Sequence, residues 1–185
     1  MRRILVFAMM ATFLGGCSSS NLPQPRTDDE NRLFGPVAMK LDTFSKVKDW
    51  SGGGKPEGVE ALVEFDDSFG DRTKSAGTIL FELYDYRPNW PDPRGARMAN
   101  PWTASLSSYD QQKAHWERAS GAYIFRLACD GLQWSHNYVL SGTFESSPGN
   151  RFFSQIILRA QSAENRVEPT TNQSESGLGR RAPQP

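Results

Sequence analysis

The sequence predicts a mainly β protein, a single antiparallel β-sandwich of immunoglobulin-like or transthyretin-like type with one short crossover helix. Three observations support this: several segments alternate apolar and polar residues, turn-forming clusters separate them, and one segment has helix-capping spacing. Short alternating strands divided by turn signals are typical of sandwiches, where one face of each strand packs inward. Periodicity does not record strand order, so both sandwich types stay open.

The first clear strand has Val59, Ala61, Val63 and Phe65 on one face. The second carries apolar residues on both faces, so we expect it to be central and covered on both sides. The last two strands flank a Ser-Ser-Pro-Gly-Asn cluster and should form an antiparallel hairpin. The expected strands are residues 59–65, 78–86, 123–127, 138–144 and 152–158.

One helix is expected over residues 109–118. Ser108 and Gln111 have the spacing of a capping box, in which each side chain binds the backbone N–H of the other residue. Tyr109 and Trp116 are seven residues apart, so we expect both to face the sandwich.

Composition limits the classes of partner. The chain has 21 basic and 21 acidic side chains, and this neutral balance argues against nucleic acid, which attracts a basic surface. The polar segments that flank the predicted domain on either side are too poor in apolar residues to form a core. We expect a signal peptide at 1–16, a flexible tether at 17–33, the sandwich at 34–162 and a disordered tail at 163–185.

The first residues form a leader. Arg2 and Arg3 precede an apolar run, which closes on Leu14, two glycines and Cys17. A charged start, a short apolar run and small residues are the order of a secretory signal peptide. The Leu-Gly-Gly-Cys motif resembles the lipobox of bacterial lipoproteins.

That resemblance implies that Cys17 receives a diacylglyceryl group and becomes the first mature residue. Two acyl chains suffice for stable anchoring. The resemblance therefore implies a membrane partner through lipid on Cys17 and a cell-envelope location, with Ser18 favouring the outer over the inner membrane.

A second resemblance covers about residues 40–160. The runs 54–60, 67–71 and 77–84, followed by His115-Trp116, are similar to bacterial envelope lipoproteins with a single β-sandwich domain. It implies fold and location and brings no activity. We therefore expect a non-catalytic binding or assembly module for an envelope protein or glycan; the alternative is a structural accessory subunit of an envelope complex.

A glycine-rich segment at 49–60 is a candidate calcium loop. Asp49, Ser51, Glu57 and Glu60 occupy four ligand positions of such a loop, and Gly54 stands at its sharp turn. The segment resembles the acidic calcium repeats of bacterial surface proteins, of the thrombospondin type 3 kind. Two carboxylates of that pattern are replaced, which weakens calcium binding. The alternative is a glycine-rich turn without metal. No other cofactor is expected.

The segment 87–102 is rich in proline, arginine and tryptophan and reads as a long loop. Trp90, Arg94, Arg97 and Trp102 belong to residue types that are enriched in binding hot spots. They are the candidate ligand-binding residues. The alternative is that both tryptophans fold back over one end of the sandwich.

The remaining reactive residues favour structural roles. Cys129 has no intramolecular partner once Cys17 is lipidated, so it is either a buried apolar residue or pairs with another chain. Asp66 and Asp67, with Gly70 after them, predict a turn. His115 and His136 lack the spacing of zinc ligands, and no catalytic residue is expected.

Overall fold

The alternating segments of the sequence form the strands of two antiparallel sheets in the computed structural model, which describes residues 33–147 and 149–159. Within these residues the elements are β1 (Ala38–Leu41), β2 (Lys46–Lys48), β3 (Gly58–Asp66), β4 (Gly77–Tyr86), β5 (Arg94–Arg97), β6 (Trp102–Ser105), α1 (Tyr109–His115), β7 (Trp116–Glu117), β8 (Ala122–Ala128), β9 (Tyr138–Ser146) and β10 (Arg151–Leu158). The expected leader, lipidated Cys17, nearly all of the tether and the tail lie outside the described residues.

The strand order distinguishes the two sandwich types. The first sheet has the order β1–β3–β8–β7, with β2 beside β1 along the same edge of β3. The second has the order β10–β9–β4–β5, with β6 beside β5 along β4. These are the A-B-E-D and G-F-C-C′ orders of an immunoglobulin-type sandwich, so of the two types that the periodicity left open, the immunoglobulin-like one is present.

A buried tyrosine supports this assignment. Tyr138 begins β9, the F strand, and its hydroxyl accepts a hydrogen bond from the backbone N–H of Gln133 at 2.8 Å. A tyrosine at this place whose hydroxyl binds backbone a few residues upstream is the tyrosine corner of such sandwiches. It fixes the connection between β8 and β9.

The core lies between the sheets and is formed by the apolar face of each strand. Aromatic side chains join the two layers: Phe65 packs against Phe144 with ring centroids 4.5 Å apart, and Phe81 against Phe125 at 5.1 Å. The core residues of the long strands are Val59, Ala61, Val63, Phe65, Ile79, Phe81, Leu83, Tyr123, Phe125, Leu127, Tyr138, Leu140, Phe144 and Leu158. The five strands and the hairpin predicted from alternation are therefore confirmed.

The capping box is also confirmed. The Ser108 hydroxyl accepts from the N–H of Gln111 at 3.3 Å, and the Gln111 side chain accepts from the N–H of Ser108 at 3.0 Å. The helix links β6 of the second sheet to β7 of the first, as a crossover should. It ends at His115 rather than at 118, because Trp116 is already extended as the first residue of β7.

Three local expectations were wrong. Tyr109 is 77% exposed, and only Trp116 packs inward, with its ring 5.0 Å from that of Tyr123. The outer face of β4 is not covered along its whole length, since Leu80 is 37% exposed. The segment 87–102 is a hairpin arm, not one long loop, because Arg94 and Arg97 pair with β4.

Candidate functional site

The two ends of the sandwich are different. The chain enters at the end where β1 begins, because Ala38 pairs with Asp66 at the end of β3. We call this the entry end; it also holds the connection from β3 to β4. The opposite end, here the far end, holds the glycine loop 49–57, the turn 87–93 and the connection 129–137.

Hydrogen bonds join the connections of the far end. The indole N–H of Trp134 donates to the carbonyl of Gly54 at 3.0 Å, and the N–H of Cys129 donates to the carbonyl of Glu57 at 3.0 Å. His136 Nε2 lies 2.6 Å from Asp85 Oδ1, which ties the same connection to the end of β4. The far end is therefore one continuous surface built from both sheets.

Trp90 stands out on this surface. It is 61% exposed at the tip of the turn between β4 and β5, and the Arg87 guanidinium lies 4.0 Å from its ring centroid. The turn closes through a hydrogen bond from the Arg87 N–H to the Pro93 carbonyl at 2.8 Å. Asn89 has a φ of 63°, a left-handed conformation that asparagine tolerates. The stack holds a large aromatic face in water in a defined orientation.

Arg94 and Arg97 follow in β5 and lie over the ring of Tyr84. Their guanidinium carbons are 5.6 and 5.7 Å from its centroid. Arg94 forms a forked pair with Asp92, and Arg97 donates to Glu82 at 2.6 Å.

These pairs change the ionisation of the groups. The hydrogen bond from Arg94 holds the pKa of the Asp92 carboxyl below its ordinary value, and the same contact raises the pKa of Arg94. Hydrogen bonding to Tyr84 raises the pKa of Arg97. Both arginines are thus charged, but each is balanced by a carboxylate, so this surface is aromatic and polar with little net charge.

Trp102 does not join the other three candidates. It begins β6, pairs with Phe81 and packs, partly buried, against the core. The other three predicted binding residues, Trp90, Arg94 and Arg97, lie in one region of the surface. For Trp102 the geometry is that of the alternative, a tryptophan folded back onto the sandwich.

Asp49 of the candidate calcium loop binds backbone amides. Its carboxylate accepts from the N–H of Gly52 at 2.8 Å and of Gly54 at 2.6 Å, and from the Ser51 hydroxyl at 3.3 Å. Desolvation acts to raise the pKa of Asp49, but these hydrogen bonds outweigh it and lower the pKa below its ordinary value. The carboxylate thus closes the loop through the loop's own backbone.

The other two carboxylates of this motif point to different partners. Glu57 accepts from the N–H of Trp50 at 2.8 Å and of Ser51 at 3.0 Å; hydrogen bonds from the Ser51 side chain and from the Trp50 amide lower its pKa. Glu60 lies in β3 and pairs with Lys48 of β2 at 3.9 Å. The structure therefore brings Asp49, Ser51 and Glu57 together and places Glu60 outside the loop.

The remaining reactive residues have structural contacts. Cys129 is buried in the core and free of a disulfide, and burial raises the pKa of its thiol. His115 Nδ1 lies 3.0 Å from the Ile124 carbonyl, and its ring stacks on Phe125. Asp67 forms the expected turn, since the Gly70 N–H donates to its carbonyl at 3.0 Å.

A charged cluster on the outer face of the first sheet was not predicted. Arg72 binds both Glu64 and Asp66, and Lys40 also binds Asp66. Glu64 hydrogen bonds with the carboxyl of Asp42; burial and this contact raise its pKa to about 7. The Asp66-Asp67 segment gave only a turn signal, because the partners of Asp66 are distant in sequence.

An apolar strip on the outer face of the second sheet was also missed. Phe153 is 59% exposed in the edge strand β10, and the exposed Ile157 follows on the same face. Through Thr143 of β9, Phe153 is in register with Leu80 of β4. The alternation over residues 152–158 could have indicated this strip, because it places Phe153 and Ile157 on the face away from the core.

Comparisons with known proteins provide no family. No protein-family model, no curated protein and no solved structure matches the chain. In the part of the chain that the structure describes, no helix is long and apolar enough to cross a membrane. Across residues 33–147 and 149–159, no group of three or more His, Cys, Asp or Glu side chains is arranged to hold a metal ion.

Proposed function

We propose that this protein is a lipid-anchored lipoprotein of the bacterial cell envelope that acts as a non-catalytic binding module. In this proposal, Cys17 carries the lipid, the leader 1–16 is removed, and the outer membrane is the location favoured by Ser18. The far end of the sandwich presents Trp90, Arg87 and Arg94 to an envelope protein or glycan.

The observation that carries the proposal is the opposition of the two ends. The chain reaches the domain at the entry end, where Val37 donates to the Asp66 carbonyl at 2.9 Å. Trp90 lies at the other end, beyond the last residues of β4. An anchor that precedes residue 33 therefore leaves the aromatic surface directed away from the point of attachment.

The chemistry of the far end favours a neutral ligand. Asp92 and Glu82 balance Arg94 and Arg97, and Arg87 adds a positive charge beside Trp90, so the surface offers hydrogen bonds and an aromatic face with only a small net charge. Tryptophan and arginine commonly dominate binding energies, because tryptophan buries much area and arginine donates several hydrogen bonds in a fixed geometry. A sugar ring or an extended peptide fits a tryptophan held in this way.

The test is photo-crosslinking from defined positions in native membranes. A photoreactive phenylalanine analogue replaces Trp90 in one chain and Tyr109, exposed on α1, in a control chain; trapped molecules are identified by mass spectrometry. We expect a specific partner at position 90 and none at position 109. Equal capture at both positions, or none at position 90, contradicts the proposal.

A paired substitution checks the same surface. The double variant W90A/R94A should lose the partner, while its thermal unfolding stays close to that of the unchanged chain, because both side chains are outside the core. The control is Y109A, which removes another exposed aromatic ring and should keep the partner.

The second candidate is a structural accessory subunit of an envelope complex, and the apolar strip favours it. Exposed apolar residues in one row across β10 and β4 are typical of protein interfaces. A photoreactive residue at position 153 distinguishes the two candidates. Stoichiometric capture of one protein from 153, with none from 90, supports the subunit.

A further inference from the structure

An exposed apolar patch lies at the entry end, where the chain joins the domain. It consists of Leu33, Phe34, Val37 and Phe69, all exposed, and we call it the entry patch. Phe69 is 63% exposed at the tip of the connection between β3 and β4, and its ring is 6.0 Å from that of Phe34. Exposed apolar groups that are contiguous mark an interaction surface.

The patch is built by specific hydrogen bonds. The Ser68 hydroxyl donates to the Leu33 carbonyl at 2.7 Å, and the Thr73 hydroxyl donates to the Phe34 carbonyl at 3.0 Å. These bonds hold the entering chain against the connection that carries Phe69. The rings of Phe34 and Phe69 are therefore presented together by the fold.

The turn beneath Phe69 is equally defined. Asp67 Oδ1 accepts from the N–H of Phe69 at 2.9 Å and from that of Asp71 at 3.0 Å. Gly70 has a φ of 83°, which is available to glycine at little cost. A turn that is closed in this way holds the phenylalanine ring in the solvent.

The length of chain before the patch identifies its occupant. Residues 18–32 separate Cys17 from Leu33, and an extended chain covers at most about 3.5 Å per residue, roughly 50 Å in all. A lipid on Cys17 thus keeps the entry end within that distance of the bilayer, and the entry end is the one with the patch. Phenylalanine and aliphatic side chains gain from insertion at the boundary between headgroups and acyl chains.

We propose that the entry patch contacts the bilayer interface and fixes the domain with its far end away from the membrane. This inference rests on the lipid anchor proposed at Cys17. It adds an orientation: the domain sits on the surface, and Trp90 faces the opposite direction. The contact is apolar, so a zwitterionic membrane is sufficient.

The test uses the full chain, lipidated on Cys17, in phosphatidylcholine vesicles. A nitroxide label is attached at Asp71→Cys, next to Phe69, and separately at Lys55→Cys, exposed in the glycine loop of the far end. Cys129 is buried, which disfavours its labelling. Electron paramagnetic resonance then measures collisions of each label with oxygen, which concentrates in lipid, and with a nickel chelate, which stays in water.

We expect the label at 71 to gain oxygen collisions and lose nickel collisions, and the label at 55 to remain in water. The double variant F34S/F69S should abolish that difference. The matched double variant F44S/Y109S removes two exposed aromatic residues outside the patch and should keep it.

Vesicle flotation is recorded on the same samples, which separates the inference from the proposal beneath it. If the chain floats with the vesicles but the label at 71 is as accessible to nickel as the label at 55, the inference is wrong and the anchor stands. If the spectrum of the label at 71 is broadened by a second label nearby, a second copy of the chain covers the patch, and the inference is again wrong. If the chain does not float, the anchor and the inference both fail.

Discussion

We expect Glu64 to make the stability of the fold depend on pH, and the variant Glu64→Gln tests this. Glu64 is 7% exposed in the middle of β3. Burial first, and then the hydrogen bond with Asp42, raise its pKa from 4.5 to about 7, although Arg72 acts in the opposite direction. In the unfolded chain the same carboxyl keeps its ordinary value.

The direction in which stability changes with pH follows from which state, folded or unfolded, holds the proton. Between pH 5 and 7 the folded chain has Glu64 protonated and the unfolded chain does not, so folding takes up a proton. The free energy of unfolding is therefore highest below the unfolded pKa of 4.5, and it falls as the pH rises through about 7. Each unit of pKa difference corresponds to roughly 1.4 kcal/mol, which gives a loss of about 2–3 kcal/mol between pH 5 and pH 8.

The assay is urea unfolding from pH 5 to pH 8, followed by tryptophan fluorescence. Glutamine has the shape of protonated glutamate and cannot ionise, so the free energy of unfolding of E64Q should lack this loss. Relative to E64Q, the free energy of unfolding of the unchanged chain should fall by about 2–3 kcal/mol between pH 5 and pH 8. The control E60Q alters a partly buried glutamate of the same strand outside the cluster and should keep the loss. An E64Q variant with the same pH dependence as the unchanged chain would refute the reasoning.

Two further predictions concern the sandwich itself. Tyr138→Phe removes the hydrogen bond that the hydroxyl of the buried Tyr138 accepts from the Gln133 N–H, so the free energy of unfolding in urea should fall by about 1 kcal/mol; an unchanged value would show that this hydrogen bond contributes nothing. Gly77→Ala places a Cβ 2.2 Å from the Glu145 carbonyl oxygen, so the same measurement should show a loss of about 1–3 kcal/mol. The control Gly53→Ala meets only the Ser51 hydroxyl at 3.4 Å, and an equal loss there would rule out the clash as the cause.

The long strands could be predicted because burial of one face imposes a period of two over seven or more residues. In β3, Val59 to Phe65 is long enough to show this pattern. The strands β2 and β7 have three and two residues, respectively, too few for any period. They exist because β3 and β8 offer free backbone groups along their edges, which is a property of the assembled sheet.

The outer faces were harder to predict than the core. Leu80 and Tyr84 are apolar enough to suggest a strand covered by a second layer, yet Leu80 is exposed, and Tyr84 is overlaid by the side chains of Arg94 and Arg97. Side-chain type alone does not tell whether a second layer covers a sheet. The capping box, in contrast, depends on Ser108 and Gln111 only, so local sequence was sufficient.

The candidate sites divide in the same way. Arg94 and Arg97 were singled out by residue type, but their shared position over Tyr84 depends on the register of β5 with β4. The entry patch joins Phe34 and Phe69, which are distant in sequence and meet only when β1 pairs with the end of β3. No period or spacing in the sequence records that contact.

The central claim is the lipid anchor, and the most direct measurement is the intact mass of the mature protein, expressed in a bacterium with its own leader. The account predicts a chain that begins at Cys17, lacks residues 1–16 and carries a diacylglyceryl group on that cysteine. The variant Cys17→Ser should keep the leader and carry no lipid. A mature chain with an unmodified Cys17, or with the leader still attached, would contradict the account.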